Sequence, residues 1–309
     1  MNVVVTGGAG FIGSHIVDLL VEKGDNVAIV DNLSTGKKEN INKKASFYEA
    51  DIREDLNDIF EKEKPEMVIH TAAQVMLRTS LEEPVHDATI NILGTINVLE
   101  ACKKNNIRKI IYTSTGGARV GEPEYLPVNE DHPLRPCSPY GISKHTAEHY
   151  VWMYDDLYGL DHLIFCFGNV YGPRDDPKCK RVSSIFAYKM LKGESPEIFG
   201  DGGQTRDFLY VVDLAEFIVR SMDKSPEHKL FHLANGVQIS VNEIFEILKT
   251  HSGFKGQAKH TEAIKGEVRD IVLDTTLAQK ELGWKPTHSF EEGLTETFEW
   301  FKDNWSLFS

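Results

Sequence analysis

Residues 2–13 leave this chain few choices of fold. Asn2-Val3-Val4-Val5-Thr6 is a short β-branched run, the pattern of a strand buried on both faces of a parallel sheet. Gly7-Gly8-Ala9-Gly10-Phe11-Ile12-Gly13 follows and carries GxxGxxG and GxGxxG spacing together. Residues 14–23 then read as an amphipathic helix that stops at Gly24. Strand, glycine turn and helix in that order are the context in which such glycines signal dinucleotide binding. Glycines let backbone approach a pyrophosphate, and the helix N-terminus offers amide donors and the positive end of its dipole. Gly7, Gly10, Phe11, Ile12 and Gly13 are the candidate contacts.

The alternation continues. A second strand over 26–30 ends at Asp31, whose carboxylate can accept from both adenosine ribose hydroxyls and would repel a 2′-phosphate. This favours NAD over NADP, although Lys37 and Lys38 stand in the following loop. A third strand over 46–50 ends at Asp51-Ile52, where the Asp can meet the adenine amino group. A helix over 54–62 and a strand over 66–70 lead into Thr71-Ala72-Ala73-Gln74, small residues that let a cofactor lie close. A long helix over 85–105 contains Asn91, and a fifth strand over 109–113 runs into Ser114-Thr115-Gly116-Gly117. In open α/β sheets the ligand crevice lies beyond the carboxyl ends of the strands, so a hydroxyl from Ser114 or Thr115 falls where chemistry would occur. A sixth strand is expected over 162–167.

Beyond it the rhythm loosens, with helices expected over 182–192, 213–223, 241–251 and 290–304. The expectation is an α/β fold. A doubly wound parallel-sheet Rossmann domain spans 1–168, and a smaller mixed α/β substrate region spans 169–309. Exchange of strands or helices between the two stays open.

Ser138-Pro139-Tyr140-Gly141-Ile142-Ser143-Lys144 opens a helix: Ser138 can cap it and Pro139 suits its first position. Tyr140 and Lys144 are four apart and share a face. A phenol of pKa about 10 is a poor base at neutral pH, and a fixed ammonium beside it favours the phenolate. Such a group can exchange a proton with a substrate hydroxyl.

The 309 residues carry 47 acidic and 34 basic side chains, a net charge of −13, which argues against nonspecific nucleic-acid binding. Cys102, Cys137, Cys166 and Cys179 show no CxxC or zinc-ligand spacing, so no metal is expected. No apolar run approaches the roughly 18 residues of a membrane span. A cytoplasmic protein with reduced thiols and no membrane partner is expected.

With these residues in hand, the chain resembles the extended short-chain dehydrogenase/reductase family, above all the UDP-glucose 4-epimerases and related nucleotide-sugar epimerases. The motifs are VTGGAGFIGSH at 5–15, DNLSTG at 31–36, DIR at 51–53, HTAAQ at 70–74, SPYGISK at 138–144, GNVYGPR at 168–174, GDGGQTRDFLYVVDLA at 200–215, GEVRDIVLD at 266–274 and ELGWKP at 281–286. The resemblance implies a bound NAD and a UDP-sugar oxidised and re-reduced at C4 through a 4-keto intermediate. Tyr140 would be the acid/base, Lys144 its cation and nicotinamide-ribose contact, and Thr115 or Ser114 the hydroxyl sharing C4–OH. Asn32, Ser34, Thr35, Gly36, Asp51, Ile52, Ala72, Ala73, Gln74 and Asn91 would line the cofactor. Asn169 and Arg206 would hold the UDP phosphates, with Glu267 and Arg269 nearby on the uridine side. A homodimer through a four-helix bundle is also implied, built from the helices around 85–105 and 139–158, with Ile92, Ile96 and Leu99 as an example of an apolar face.

Three positions depart from the family pattern. Arg119-Val120-Gly121 replaces the usual Val-Tyr-Gly. Cys166-Phe167 replaces Arg-Tyr, which removes a buried charge. Ile264 stands where relatives carry Arg. UDP-glucuronate or UDP-N-acetylhexosamine 4-epimerisation remains an alternative, as does a non-catalytic NAD-sensing or scaffold protein on the same fold. A 4,6-dehydratase is disfavoured because Gly116-Gly117 follow Thr115 in place of an acid pair.

Overall fold

The structure, a computed structural model describing residues 1–263 and 268–308, alternates strand and helix through its first half. Strands β1 (Asn2–Thr6), β2 (Asn26–Asp31), β3 (Ser46–Glu49), β4 (Met67–His70), β5 (Lys109–Thr115) and β6 (Asp161–Phe167) are joined through seven helices. These are α1 (Phe11–Lys23), α2 (Asn57–Glu63), α3 (Leu77–Glu82), α4 (Pro84–Ala88), α5 (Thr95–Lys104), α6 (Gly116–Val120) and α7 (Pro139–Tyr158). Then come β7 (Asn169–Tyr171), α8 (Val182–Leu191), β8 (Glu197–Phe199), β9 (Thr205–Tyr210), α9 (Val211–Ser221) and β10 (Leu230–Leu233). The chain closes with β11 (Gln238–Ser240), α10 (Val241–Ser252), β12 (Lys259–Thr261), α11 (Thr276–Leu282) and α12 (Phe290–Asp303).

The main sheet has the order β10-β6-β5-β4-β1-β2-β3, with every pairing parallel. Alternate residues of β1 feed its two faces. Val3 and Val5 pack with Ile16, Leu20 and Phe217; Val4 packs with Val98, Leu99 and Val151. Strand order reverses between β1 and β4, the switch point at which open α/β sheets bind their ligands. A third cluster, with Phe186, Phe208, Phe245 and Phe298, forms the smaller C-terminal region. That region carries a three-stranded sheet, β11-β9-β7, and a two-stranded one, β12-β8.

Several boundaries differ from expectation. Helix α1 starts at Phe11 rather than 14, so the last residues of the glycine motif already form its first turn. Strand β5 continues to Thr115 because Ser114 and Thr115 pair with Cys166 and Phe167 of β6. Helix α2 begins at Asn57, since Asp55 accepts the Asn57 amide in a turn before it. The long helix over 85–105 is α4 and α5 joined by a π-helical segment, Thr89–Gly94. Such wide turns recur at functional sites. A seventh strand, β10, was not expected: Leu230-Phe231-His232-Leu233 crosses from the second half of the chain to extend the main sheet beside β6. No helix among the described residues is long and apolar enough to cross a membrane.

Candidate active site

The glycine turn is shaped for a close approach. Gly7 has φ +70°, and a Cβ there would lie 2.7 Å from the Ala72 amide nitrogen. A Cβ on Gly13 would lie 2.2 Å from the Gly7 carbonyl oxygen. The turn is thus bare backbone at the N-terminus of α1, which suits a pyrophosphate. Asp31 closes β2; its carboxylate accepts the Ala9 amide at 3.0 Å and the Leu33 amide at 2.8 Å. Burial raises its pKa against those two bonds. Asp31 therefore ties the glycine turn to the 32–36 loop, in which Asn32, Ser34 and Thr35 are exposed and Gly36 is half-buried.

Asp51 is engaged within its own motif. Arg53 grips it with Nε and Nη2, both at 2.8 Å, and Asn32 donates at 2.7 Å. The Arg53 hydrogen bonds hold this carboxyl well below the usual carboxylate range. Ile52 beside it is buried.

Ala72 and Ala73 line the approach from β4, both half-buried. Asn91 and Gln74 form a closed network. Asn91 Oδ1 accepts the Gln74 amide at 2.8 Å, and its Nδ2 donates to the Gln74 carbonyl at 2.9 Å and to Asp87 at 3.1 Å. The Gln74 side chain also donates to Asp87, at 2.8 Å. Asn91 is buried within the π segment and braces the loop after β4. Asp87, which sequence reasoning missed, is the hub: fully buried, it also accepts the Ser143 hydroxyl at 2.5 Å.

Ser138 caps α7 by accepting the Gly141 amide at 3.1 Å. Tyr140 projects from the first turn, and the Thr115 side chain is among the groups that favour ionisation of its phenol. Neighbouring residues on a strand point to opposite faces, which separates the two candidate hydroxyls. Thr115 acts on the Tyr140 phenol, while Ser114 turns inward and donates to Glu148 Oε1 at 2.5 Å. Lys144 is buried, its Nζ 4.2 Å from the centre of the Tyr112 ring.

Burial works against both charges. It pushes the Tyr140 phenol up to about 12, against the Arg181 charge and the Thr115 side chain. It pushes Lys144 down to about 7, against Glu148, Cys166 and Asp87. The expected effect of Lys144 on Tyr140 thus acts on a phenol that burial has already made harder to ionise.

Arg181, preceding α8, was also missed. Its guanidinium stacks over the Phe11 ring, 5.3 Å from the centroid, and pairs with fully buried Asp175. Its charge is the strongest acting on Tyr140. No sequence spacing links residue 181 to 11 or 140; only the tertiary fold brings them together.

The expected phosphate-side residues lie on the smaller region. Asn169 is exposed at the start of β7. Arg206, on β9, donates to the Thr205 and Arg269 carbonyls at 2.8 and 3.1 Å. Arg269 makes a forked pair with Asp201 at 2.9 and 3.0 Å on the surface. Glu267 and Ile264 lie outside the described residues.

The departures at 119 and 166 resolve together. Arg119 of α6 is buried; it pairs with Glu148 at 3.2 Å and reaches Cys166 Sγ at 3.6 Å. The expected loss of a buried charge at Cys166 is therefore corrected: a guanidinium from a different element occupies the same neighbourhood.

A model of the NAD-dependent epimerase/dehydratase family matches residues 3–234. A putative UDP-glucose 4-epimerase from Methanocaldococcus jannaschii is 50% identical, covering 98% of this chain and 99% of its own. A UDP-glucuronate 4-epimerase from Thermodesulfobacterium geofontis is 38% identical over 98% and 97%. The Thermotoga maritima UDP-glucose 4-epimerase, solved with UDP-glucose, superposes with a TM-score of 0.96 at 42% identity, covering 99% of this chain and 100% of the other. The Thermus thermophilus UDP-glucose 4-epimerase, solved with NAD, gives 0.93 at 37%, covering 98% and 100%. A UDP-N-acetylglucosamine 4-epimerase from Methanobrevibacter ruminantium gives 0.91 at 35%, covering 98% of each.

Proposed function

The chain belongs to the NAD-dependent epimerase/dehydratase family, and we propose that it inverts C4 of a UDP-hexose, converting UDP-galactose to UDP-glucose. It is an NAD-dependent enzyme, and the bare glycine turn with Asp31 beyond it fits that cofactor. NAD supplies, when bound, the hydride acceptor and donor for C4. The protein's own residues manage the proton and the pose. Tyr140 takes the C4 hydroxyl proton as the carbonyl forms and returns it after the 4-keto sugar has presented its other face. Thr115 shares the C4 oxygen, and Lys144 stabilises the phenolate. Asn169 and Arg206 hold the diphosphate while the sugar turns.

The observation that carries this reading is Tyr140 on the first turn of α7, with Thr115 among the side chains that act on its phenol and Lys144 one turn further along the helix. Elimination chemistry is opposed by Gly116-Gly117, which place no acid directly after Thr115. The test is turnover of UDP-galactose, UDP-glucuronate and UDP-N-acetylgalactosamine, read by NMR, beside a Tyr140→Phe control. Conversion of UDP-galactose that the variant loses supports the proposal. Turnover confined to a charged or N-acetylated sugar transfers it to that substrate, and no turnover with NAD bound refutes it.

The protein is also proposed to pair as a homodimer across α4, α5 and α7. Leu99 of the expected face is buried in the chain's own core, whereas Ile92 of that face lies in the proposed contact groove. Val85 is 78% exposed and Leu93 58%, and they line an apolar groove with Pro84, Ala88 and Ile92.

A further inference from the structure

We propose that Glu148, clamped between Ser114, Arg119 and His145, is a positioning residue that keeps Lys144 charged beside Tyr140 and fixes β5 against α7. The proposal rests on the reading of Tyr140 as the acid/base. Glu148 is four residues beyond Lys144 and so shares its face of α7. It is fully buried, yet both carboxylate oxygens meet polar partners. Ser114 donates to Oε1 at 2.5 Å, Arg119 pairs with Oε2 at 3.2 Å, and His145 Nδ1 lies 2.9 Å from Oε2. Cys166 Sγ lies 3.7 Å from Oε1. A carboxylate so enclosed is costly unless it is paired and hydrogen-bonded, and the fold supplies both.

The clamp has two consequences for the site. Ser114 precedes Thr115, so a bond from Ser114 to α7 sets where the next hydroxyl meets Tyr140 on the same helix. The charge also reaches Lys144. The groups facing Lys144 are Glu148, Asp87 and Cys166, with His70 and the Tyr112 ring on the sheet side. Those facing Glu148 are Arg119, His145, Cys166, Tyr112 and, more distantly, His232. Of the influences on Lys144, Glu148 stands second only to burial and opposes it.

The reactive form is Tyr140 phenolate beside Lys144 ammonium. Its population rises with pH until Lys144 would lose its proton, then levels off. Removing the Glu148 charge makes Lys144 lose its proton at lower pH. The low-pH limb then stays where it was, while the plateau begins earlier and stands lower. A purely structural role would lower the whole profile by one factor.

The experiment compares wild type, Glu148→Gln, Glu148→Asp and the paired variant Arg119→Met/Glu148→Gln, which leaves no unpaired buried charge if the single change unfolds the protein. Two readouts are taken: the pH profile of turnover at saturating NAD, and direct titration of Lys144 by NMR of protein labelled with 15Nζ-lysine, assigned with Lys144→Met. In the Gln variants the Lys144 midpoint is expected to fall by about one pH unit and the plateau by about tenfold, with Glu148→Asp closer to wild type. An unmoved midpoint, or a uniform drop at all pH values, overturns the proposal. If the midpoint moves but wild type turns over no UDP-sugar, the functional reading fails and the role of Glu148 toward Lys144 stands.

Discussion

Lys144→Met tests the site most directly. Lys144 is 3% exposed and lies against Tyr112, so a methionine fills similar volume without a charge to bury, and the fold should survive. Side chains four apart on a helix lie about 6 Å apart at Cβ. At that distance, with an effective dielectric of about 20, one charge alters the energy of another by about 2.8 kcal/mol, or about 2 pKa units. Below neutral pH, where Lys144 is charged, the variant should hold about 100-fold less phenolate. Burial pushes Lys144 down to about 7, so the wild-type advantage stops growing there. Because the variant's phenolate keeps rising with pH, the deficit should shrink to about tenfold at pH 8 and close near pH 9. The assay is kcat for UDP-galactose from pH 6 to 9, with NAD saturating. A deficit constant across that range, or full activity at pH 6, would refute the electrostatic role assigned to Lys144.

Thr115→Val should lower kcat by about 100-fold, the scale of a lost acid–base partner. Ser114→Ala should cost about 1–3 kcal/mol of stability for the donor taken from buried Glu148, as read by urea denaturation, and should also lower kcat by loosening the placement of Thr115. Gly13→Ala sets a Cβ 2.2 Å from the Gly7 carbonyl oxygen and should weaken NAD binding by at least about tenfold, roughly 1.4 kcal/mol, by calorimetry. Leu93→Glu should convert a dimer to a monomer in light scattering; a monomeric wild type would remove the proposed interface.

The parts legible in the sequence were those encoded by neighbouring residues. Glycine spacing, the β-branched run of β1 and the Ser138–Lys144 helix opening each carry their geometry within a few positions. Thr115 and Ser114 could not be separated by reading, because the choice depends on β5 extending to 115 through its pairing with β6. Asp87, Arg181 and Asp175 were missed for a related reason. Each is an ordinary charged residue in a helix or loop, and only tertiary packing brings Asp87 and Arg181 to act on Tyr140, with Asp175 paired to Arg181. Asn91 was read as a cofactor contact, yet the π segment turns its amide onto Gln74 and Asp87. Strand β10 is not legible because three apolar residues interrupted by His232 are too short a run to mark a strand that joins a sheet built by the other half of the chain.

The pair at 119 and 166 shows why a motif read residue by residue can misjudge charge. What the site needs is a cation against Glu148, and the fold offers two elements from which it can come: β6, through position 166, and α6, through position 119. In this chain α6 supplies it, and the β6 position is left to a small, uncharged thiol. If that is the physical requirement, the charge should be movable. Arg119→Val alone breaks a buried ion pair and should cost about 3–5 kcal/mol. Adding Cys166→Arg in that background places a guanidinium into the volume Arg119 vacates, and should recover a large part of the loss in urea denaturation. Cys166→Arg alone would crowd two cations around one carboxylate and should destabilise. If the double variant is no more stable than Arg119→Val, the two positions are not interchangeable, and the arginine's own packing in α6, rather than its charge, is what the fold requires.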